Sequence, residues 1–351
     1  MRELSFNDFY QRINSRDVAF PLSAHFELTY RCNLNCIHCY CKGSENEKKE
    51  LALFEVKKII RQLRQEGCIW LTLTGGEPLI RPDFLDIYSL ARRKGFIITI
   101  FTNALAFNQK IINYLAKSPP FSIEITLNSL NPGIYSRITG VKNSLARVMD
   151  NIRELTKKKL AVIIKTNLLK QNINEIAGIK KWAEDNLARL SKNRYNFKCD
   201  PLIYPRLNAN KTPCRHRLSP EEIFRVFQQD KDISRQYQEQ LRKDRPVLLR
   251  ENKYLYHCNS WMNKVFINPF GRLKFCVFSN DFSVDLKKKT FQEGFNAMAA
   301  KIPGQVFQTN SRCRDCPLRP ICRWCPARAY LETGNREKPI NYFCRLARAD
   351  I

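Results

Sequence analysis

The fourteen cysteines of this chain fall mostly in two short stretches, and this clustering constrains the fold more than any other sequence feature. Four cysteines lie between residues 32 and 41, and seven lie between residues 258 and 344. Fourteen in so long a chain is too sparse for a small disulfide scaffold, and residues 1–20 lack the apolar core of a secretory signal. A chain kept in a reducing cytoplasm does not need disulfides, so the clustering indicates metal ligands.

Length, composition and charge exclude several classes of protein. The 351 residues are 44% hydrophobic and 26% charged, which is typical of one large soluble domain or two ordinary ones. No window approaches the roughly 18 apolar residues of a membrane span, so we expect a cytoplasmic protein with no membrane partner. The net charge of +27 raises nucleic acid or an acidic peptide as partners. Because the basic residues form no compact block, we disfavour nucleic acid and interpret most of the charge as solvated surface.

Apolar runs of β type alternate along the chain with segments of helical periodicity. The predicted strands are 25–30, 69–73, 96–101, 121–127 and 160–166, and the predicted helices lie near 56–66, 83–93, 108–117, 144–158 and 174–188. Repeated strand-then-helix units predict a parallel sheet with helices outside. We therefore predict an α/β fold, a partial (β/α)6 barrel of the TIM type.

The unusual residues follow the predicted strands. The first cysteine stretch follows the first strand, Gly75-Gly76-Glu77-Pro78 the second, Thr102-Asn103 the third, and Asn128-Ser129 the fourth. In such barrels the chemistry lies at the carboxyl ends of the strands. We expect all four segments to line one mouth.

Beyond the barrel, Ser219 and Glu222 form a capping-box pattern at the start of a helix, and the charged stretch that follows indicates a helical bridge. The predicted divisions are an N-terminal segment 1–24, a barrel 25–218, a helical bridge 219–252 and a small cysteine-rich domain 253–351.

The spacing of Cys32, Cys36 and Cys39 leaves two chemistries open. A closed structural zinc site needs four ligands, so His38 or Cys41 would have to supply the fourth. A 4Fe-4S cube held by three thiolates instead leaves one iron free to bind a substrate.

Together, this cysteine triplet and Gly75-Gly76-Glu77-Pro78 resemble the motifs of the radical SAM superfamily. The resemblance implies that the free iron chelates the amino and carboxylate groups of S-adenosylmethionine (SAM). It also implies that one electron, from a donor such as a flavodoxin or ferredoxin, cleaves SAM to a 5′-deoxyadenosyl radical. In such an enzyme the protein contributes positioning and exclusion of water.

The resemblance also implies a set of SAM contacts. They are His38 and Tyr40 near the adenine, Gly75, Gly76, Glu77 and Pro78 at the methionine amino group, Thr126 and Asn128 near the ribose and carboxylate, and Asn103 and Arg137. Two of these sites depart from the family pattern. Ala104 follows Asn103 where glycine is commoner, and Arg137 does not directly precede Gly140. Cys41 and Cys68 are interpreted as bystanders.

The second cysteine stretch has two interpretations. A zinc ribbon on Cys313, Cys316, Cys322 and Cys325 would leave the three remaining cysteines of the stretch without a role. The seven-cysteine order resembles the SPASM domain, which carries two auxiliary 4Fe-4S clusters. That resemblance assigns Cys313, Cys316, Cys322 and Cys344 to an outer cluster and Cys258, Cys276 and Cys325 to an inner one.

This assignment leaves the inner cluster one ligand short. Either Cys199 or Cys214 supplies the fourth ligand, or the position stays open for a substrate group. The spacing from Cys322 to Cys325 is also one residue shorter than the family's usual one.

The SPASM resemblance implies an enzyme that matures a ribosomally made peptide or protein, installing a cross-link or another oxidative modification. An acidic peptide would suit the basic chain. The alternative is a dehydrogenase of a small sugar or aminocyclitol. A non-catalytic iron–sulfur carrier or nucleic-acid-binding protein is disfavoured, because a carrier has no use for the segment 75–78.

Overall fold

The computed structural model describes residues 19–43, 49–187, 196–243, 252–258, 260–279 and 282–349, and its framework is one nine-stranded sheet. The strands are β1 (Ser23–Glu27), β2 (Trp70–Thr74), β3 (Ile97–Thr102), β4 (Ser122–Thr126), β5 (Val162–Asn167), β6 (Phe197–Asp200), β7 (Lys264–Ile267), β8 (Arg272–Lys274) and β9 (Val284–Asp285). They lie in the order β6-β5-β4-β3-β2-β1-β7-β8-β9.

Strands β1 to β6 are parallel to their neighbours, and helices follow most of them. This confirms the predicted α/β partial barrel. Strand β7 continues the parallel sheet on the other side of β1, with Ser23 opposite Lys264, and β8 and β9 are added antiparallel. Residues beyond 253, predicted as a separate domain, thus contribute three strands to the same sheet. The division at that residue stays a prediction.

The helices are bounded as follows. They are α1 (Leu53–Gln65), α2 (Phe84–Arg93), α3 (Gln109–Lys117), α4 (Pro132–Thr139), α5 (Leu145–Lys157), α6 (Ile176–Asn186), α7 (Pro220–Gln229), α8 (Lys231–Lys243), α9 (Ser260–Asn263), α10 (Phe291–Lys301), α11 (Pro326–Thr333) and α12 (Asn341–Ala349). In α1 the predicted stripe Val56, Ile59, Ile60 and Leu63 is buried against the sheet. Each such side chain stabilises the fold by about 1.5–3 kcal/mol.

Helix α4 was not predicted from the sequence. It begins at Asn131-Pro132-Gly133, a composition typical of turns. The Asn131 side chain accepts hydrogen bonds from the backbone N–H groups of Gly133 and Ile134 at 2.9 and 3.0 Å. Proline is favoured at the first helical position because its missing N–H has no partner there anyway. The same residues that look like a turn therefore start a helix.

The capping box at Ser219 forms as predicted. Ser219 Oγ accepts from the backbone N–H of Glu222 at 3.2 Å, and the Glu222 carboxylate accepts from the backbone N–H of Ser219 at 2.6 Å. Helices α7 and α8 occupy the predicted bridge as far as residue 243. The remainder of that bridge, 244–251, and most of the predicted N-terminal segment, 1–18, lie outside the described residues. Within the described chain, none of the helices has the length and apolarity needed to cross a membrane.

Candidate active site

The carboxyl ends of β1 to β4 bring the four predicted segments to one edge of the sheet. Strand β1 leads into the cysteine loop, defined here as residues 28–41, and β2 leads into Gly75–Pro78. Asn103 directly follows β3, and Asn128 lies just beyond β4. Neighbouring parallel strands end on the same side of a sheet, so these segments are within contact distance of one another.

The three thiols of Cys32, Cys36 and Cys39 lie close enough to act on each other electrostatically. Burial, with a contribution from Cys39, raises the pKa of Cys32 to about 11. Burial, followed by Cys39 and Cys32, raises the pKa of Cys36. Three thiolates that repel each other and are shielded from water are stabilised by a shared cationic centre. The chemistry of this donor set fits a metal cluster.

Cys41 contacts the triplet. Its sulfur lies 3.5 Å from the sulfur of Cys39, and this hydrogen bond is the main reason why the pKa of Cys39 is lowered to about 7. Hydrogen bonding to Cys39, together with burial, raises the pKa of Cys41 well above its usual value. Cys39 is therefore the most readily ionised thiol of the loop, and Cys41, expected to be a bystander, is in contact with it.

One ring nitrogen of His38 is buried and has no hydrogen-bond partner among the described residues. Its Nε2 lies 3.4 Å from the side-chain nitrogen of Asn128, whereas its Nδ1 has no hydrogen-bond partner among the residues that the structure describes. Burial, with a contribution from His216, lowers the pKa of His38 to about 4, so the ring is neutral at pH 7. A buried polar atom of this kind is normally satisfied by a partner.

The glycines after β2 allow its end to lie directly on the cysteine loop. Gly75 has φ +137°, and a Cβ added there would lie 2.2 Å from the Thr29 carbonyl oxygen. A Cβ added to Gly76 would lie 2.4 Å from the Arg31 carbonyl oxygen. The backbone N–H groups of Gly76 and Glu77 donate to those two oxygens at 2.7 and 3.0 Å. The expectation tied these glycines to a ligand, and the close approach seen here is to the loop backbone.

Glu77 is fully buried and joins the ends of β2 and β3. Its carboxylate accepts hydrogen bonds from Leu79 N (3.1 Å), Thr102 Oγ1 (2.8 Å) and Asn103 N (2.7 Å). Burial raises its pKa to about 7 against the opposing effect of these bonds. Pro78, also buried, begins the short helical turn Pro78–Ile80. In this structure the segment positions the loop by bonds within the protein.

Asn103 connects the end of β3 to the first cysteine of the triplet. Its side-chain nitrogen donates to Asn33 Oδ1 at 2.7 Å and lies 3.6 Å from Cys32 Sγ. Ala104, which replaces the family's commoner glycine, is buried and has φ +62°, in the left-handed region. Ala104 thus adopts a backbone conformation that glycine adopts most readily.

We expect Ala104→Gly to raise the free energy of unfolding by up to about 1 kcal/mol. The left-handed conformation costs a non-glycine residue about 1–2 kcal/mol, and the greater flexibility of unfolded glycine offsets about 0.5–1 kcal/mol of that. Urea denaturation measures the change. Ala183→Gly, in the interior of α6, is the control and should lower stability by about 1 kcal/mol or more. Equal losses in both variants would contradict the strain at Ala104.

Asn128 and Thr126 remain at the mouth. The Asn128 side-chain oxygen accepts from the Asn167 backbone N–H at 2.8 Å, so Asn128 joins the ends of β4 and β5 and faces His38. Thr126 is half-buried and pairs in register with Lys165 of β5. These two side chains therefore lie on the same edge as the cysteine loop.

Tyr40 and Arg137 point elsewhere. The Tyr40 hydroxyl donates to Glu27 on β1 at 2.9 Å, and its ring contacts that of Phe278, with the ring centroids 5.9 Å apart. Tyr40 thus faces the second cysteine region. Arg137 is exposed on α4. The structure does not bring either side chain together with His38 and Asn128.

Tyr135 was missed by sequence reasoning. It is buried on α4, and its hydroxyl has no hydrogen-bond partner within the described part of the chain. Burial, followed by Cys36 and Cys32, raises its pKa. Its spacing from Ile138, three residues on, is the one signal that predicts a buried helical face. Because the helix was not expected, neither was this tyrosine beside the triplet.

Cys258, Cys276 and Cys325 form a second group of thiols. Burial, followed by Cys325 and Cys258, raises the pKa of Cys276 to about 12. Cys325 caps α11, where its sulfur accepts from the backbone N–H of Arg328 at 3.5 Å. The structure therefore brings together the three cysteines expected at the inner cluster.

A third group contains four cysteines. Burial, followed by Cys344, Cys313 and Cys316, raises the pKa of Cys322 to about 12. Burial, followed chiefly by Cys344, raises that of Cys313 to about 11. Cys325 acts on Cys276 instead, which disfavours the zinc ribbon. Among the described residues, no three His, Cys, Asp or Glu side chains lie close enough together to bind a single metal ion. The ligands of a 4Fe-4S cube lie farther apart, because each of them binds a different iron.

Cys199 and Cys214 lie among other groups. Burial, followed by Asp200 and Asp230, raises the pKa of Cys199 on β6. Burial, against the effect of Arg217, raises that of Cys214 to about 11. The charged groups that act on these two thiols are thus not the cysteines of the inner group.

We expect the Cys199→Ala, Cys214→Ala double variant to bind as much iron per chain as the wild type. Both thiols are surrounded by side chains other than the inner cysteines, so removing them leaves that group intact. Iron analysis and Mössbauer spectroscopy after anaerobic reconstitution make the measurement, with Cys276→Ala as a control that should lose iron. Loss of a cluster or appearance of a 3Fe form in the double variant would show that one of them is a ligand.

The fold and site together define a barrel enzyme with thiol groups suited to iron–sulfur clusters. Residues 26–183 match the model of the Radical SAM superfamily. These residues form a radical SAM domain, so the chain is an enzyme, and its cysteine-rich C-terminal part lies beyond the match. Its cofactors are SAM and 4Fe-4S clusters.

Two curated relatives and a solved structure illustrate the similarity. The chain is 25% identical over 336 residues to the antilisterial bacteriocin subtilosin biosynthesis protein AlbA of Bacillus subtilis, covering 92% of this chain and 70% of that protein. It is 22% identical over 339 residues to the AdoMet-dependent heme synthase of Methanosarcina barkeri, covering 90% of this chain and 94% of that protein.

The solved structure is Streptococcus suis SuiB bound to its precursor peptide SuiA. It superposes with a TM-score of 0.68 over 96% of this chain and 81% of that chain, at 17% sequence identity. At this identity the similarity shows the shared fold, and the fold extends through both cysteine regions of the present chain.

Proposed function

We propose that this chain is a maturase that reductively cleaves SAM and abstracts hydrogen from a ribosomally made peptide or protein, installing a cross-link or another oxidative modification. The observation that carries the proposal is the separation of ten cysteines into three groups of thiols in one fold. The similarity to AlbA, a bacteriocin biosynthesis protein, supports a peptide substrate. So does the likeness in fold to a protein solved with its precursor peptide.

The first group, Cys32, Cys36 and Cys39, is proposed to hold the SAM-binding cluster. When bound, this 4Fe-4S cluster supplies the electron that cleaves SAM to a 5′-deoxyadenosyl radical. Glu77 and Asn103 hold the loop through the backbone and side-chain bonds described above, so the cysteines are positioned before anything binds. His38 supports SAM binding, because its unpartnered Nδ1 offers one hydrogen bond at the mouth.

The remaining proposed SAM contacts lie at the ends of strands β2 and β4 and on the segments that follow them. Gly75, Gly76 and Pro78 are assigned to shape the mouth, and Thr126 and Asn128 to contact SAM from the neighbouring strands. Arg137 is exposed and the Tyr40 hydroxyl donates to Glu27. A contact of either side chain with SAM stays a prediction.

The two further thiol groups are proposed to hold auxiliary clusters. Cys258, Cys276 and Cys325 would bind the inner cluster, and Cys313, Cys316, Cys322 and Cys344 the outer one, giving three clusters in all. A substrate radical can be oxidised by electron loss to a nearby cluster, whose potential depends on burial and hydrogen bonding. A small electron-transfer protein, such as a flavodoxin or ferredoxin, is the proposed reductant.

The proposed division of the chain is a barrel over 25–218, a bridge over 219–252 and an auxiliary-cluster domain from 253. The sheet continues across the last boundary, since β7 pairs with β1. The C-terminal region is therefore expected to unfold together with the barrel.

Anaerobic co-expression tests the proposal. The chain is produced with a short peptide encoded beside its gene, and the peptide mass is measured. A cross-link removes the mass of a hydrogen pair, and 5′-deoxyadenosine accumulates in parallel. Wild-type protein that forms 5′-deoxyadenosine but never changes the peptide would contradict the peptide assignment, whereas absence of 5′-deoxyadenosine would contradict the chemistry itself.

A small-molecule substrate is the second candidate. The alignment with the AdoMet-dependent heme synthase covers 94% of that protein, so a chain of similar architecture also serves a synthase of a small molecule. Incubating the reconstituted protein with deuterated candidate metabolites and following deuterium into 5′-deoxyadenosine distinguishes the two candidates.

A further inference from the structure

The barrel interior contains charged residues that the motifs do not explain. Strand alternation places one set of side chains on the concave face, including Glu124 of β4, Lys165 of β5, Lys198 of β6 and Lys264 of β7. We call these four residues the lumen lysine cluster. None of them belongs to a cysteine motif, and each looks like an ordinary strand residue when read alone.

Contacts across the sheet show that these side chains converge. Lys165 Nζ lies 3.8 Å from the ring centroid of Phe101 on β3, two strands away. The His25 ring on β1 also contacts Phe101, with the ring centroids 6.1 Å apart, and stacks on Phe266 of β7 at 5.0 Å. Strands two apart in a sheet are separated by about 10 Å, so these contacts show that the side chains lie on one face of the sheet and lean toward each other.

The cluster carries more positive than negative charge. Lys198 Nζ lies 2.5 Å and Lys165 Nζ 3.5 Å from the two carboxylate oxygens of Glu124, whose side chain is 8% exposed. Burial opposes ionisation of Glu124, but the two lysines lower its pKa, so it is charged at pH 7. Two ammonium groups therefore share one carboxylate, and the Lys264 ammonium group acts on the same His25 ring as Lys165.

Among the other titratable groups of these strands, neither Glu27 nor Asp200 forms an ion pair with Lys165 or Lys198. Burial, followed by Lys264 and Lys165, lowers the pKa of His25 to about 4, so His25 is neutral. Glu27, also on β1, accepts hydrogen bonds from two tyrosine hydroxyls, and burial raises its pKa. Asp200 is exposed at the end of β6, where it accepts from the Leu202 backbone N–H.

The cluster lies where a substrate would have to enter. Lys165 pairs in register with Thr126, at the mouth, and Lys198 pairs with Lys165. The side chains of Lys165 and Lys198 are 33% and 45% exposed, so their ammonium groups can be reached. Phe101 and Phe266 provide apolar walls beside them. Because the two lysines share a single carboxylate, the group keeps a net positive charge, and a half-buried net charge is stabilised when an anion binds it.

We propose that the lumen lysine cluster is a carboxylate-binding subsite that takes an acidic side chain or the C-terminal carboxylate of the peptide substrate. The inference rests on the proposed function and specifies its substrate class. Two lysines already share the carboxylate of Glu124, and an incoming carboxylate would complete the remaining positive charge. Binding of this carboxylate fixes the position of the peptide in the barrel, so that one particular carbon lies next to the 5′-deoxyadenosyl radical.

Three short probes test the subsite on the reconstituted holoprotein with SAM bound. They are an N-acetylated pentapeptide amide with one central Glu, the same peptide with Gln, and the Gln peptide with a free C-terminal carboxylate. Saturation-transfer NMR measures their dissociation constants. We expect the Glu probe or the C-terminal carboxylate probe to bind at least about tenfold more tightly than the neutral probe, and the preferred probe identifies the source of the carboxylate. Equal binding of all three would overturn the proposal.

Variants locate the binding. Lys198→Met and Lys264→Met each remove one ammonium group while Lys165 continues to pair Glu124, so the fold is preserved. Each is expected to weaken the preferred probe by about tenfold. Lys181→Met, on the surface of α6, is the matched control and should bind like the wild type. Unchanged binding in both lumen variants would overturn the proposal.

SAM cleavage and the identity of the substrate as a peptide are tested by separate measurements. A wild type that produces no 5′-deoxyadenosine contradicts the proposed radical chemistry, whatever the probes do. If glutarate binds as tightly as the preferred peptide probe and Lys198→Met weakens both, the carboxylate subsite is supported and the peptide assignment is contradicted.

Discussion

Replacing Cys32, Cys36 and Cys39 by alanine is expected to abolish 5′-deoxyadenosine formation and to remove about a third of the iron bound after reconstitution. The other two thiol groups lie on different elements, so their iron should be retained. Anaerobic iron analysis and chromatography of 5′-deoxyadenosine, with dithionite as reductant, make the measurement. This is the largest effect expected for the chain, because no other group described here combines a mutually interacting thiol triplet with the segment Gly75–Pro78.

Cys68→Ala serves as its control. The Cys68 thiol is buried in the barrel core and lies 3.6 Å from the Leu22 carbonyl oxygen, so its removal should change neither iron content nor SAM cleavage. A triple variant that kept all of its iron, or a wild type that held stoichiometric zinc and did not cleave SAM, would contradict the assignment of the triplet.

Gly76→Ala is expected to lower the free energy of unfolding by about 3 kcal/mol and to reduce SAM cleavage. The new methyl group would lie 2.4 Å from the Arg31 carbonyl oxygen and 2.7 Å from that of Tyr30. Both are backbone atoms, so no side-chain rotation relieves the overlap. Relief requires the cysteine loop to move away from β2. Urea denaturation and 5′-deoxyadenosine formation measure the two effects.

Gly178→Ala provides the matched contrast. Gly178 lies within α6, and a Cβ there would meet no other atom within 4 Å. The same change should therefore raise stability by about 0.5–1 kcal/mol, because alanine has the higher helix propensity. If Gly76→Ala behaved like Gly178→Ala, the close backbone contact after β2 would be wrong.

The strand ends show how much of the fold local sequence patterns predict. Apolar runs bounded by Gly75, Asn103 and Asn128 predicted β2 to β4 and the edge on which these residues meet, because parallel strands repeat one geometry. Helix α4 was missed since Asn131-Pro132-Gly133 is ambiguous between a turn and a helix start. Tyr135, which lies on this helix, was therefore not predicted either.

The cysteines show a similar division. The grouping of Cys258 and Cys276 with Cys325 was implied by a family resemblance, since spacing alone equally allowed a four-cysteine ribbon. In the structure Cys325 caps α11 and acts electrostatically on Cys276. Ligand sets in a loop-rich region depend on where each loop folds, and sequence spacing does not contain that information.

By itself the sequence determined the parallel barrel and the mouth on which the first cysteines lie, which follow from periodicity and from residues adjacent in the chain. The radical SAM chemistry was implied by the resemblance of the cysteine triplet and Gly75–Pro78 to a family, since the cysteine spacing alone also allowed zinc. Only the tertiary structure decided that Gly76 packs on the loop backbone, and that Glu124, Lys165 and Lys198 meet inside the barrel. Alternation tells which face of a strand a side chain occupies, but contacts between strands depend on register and curvature, which arise when distant segments pack together.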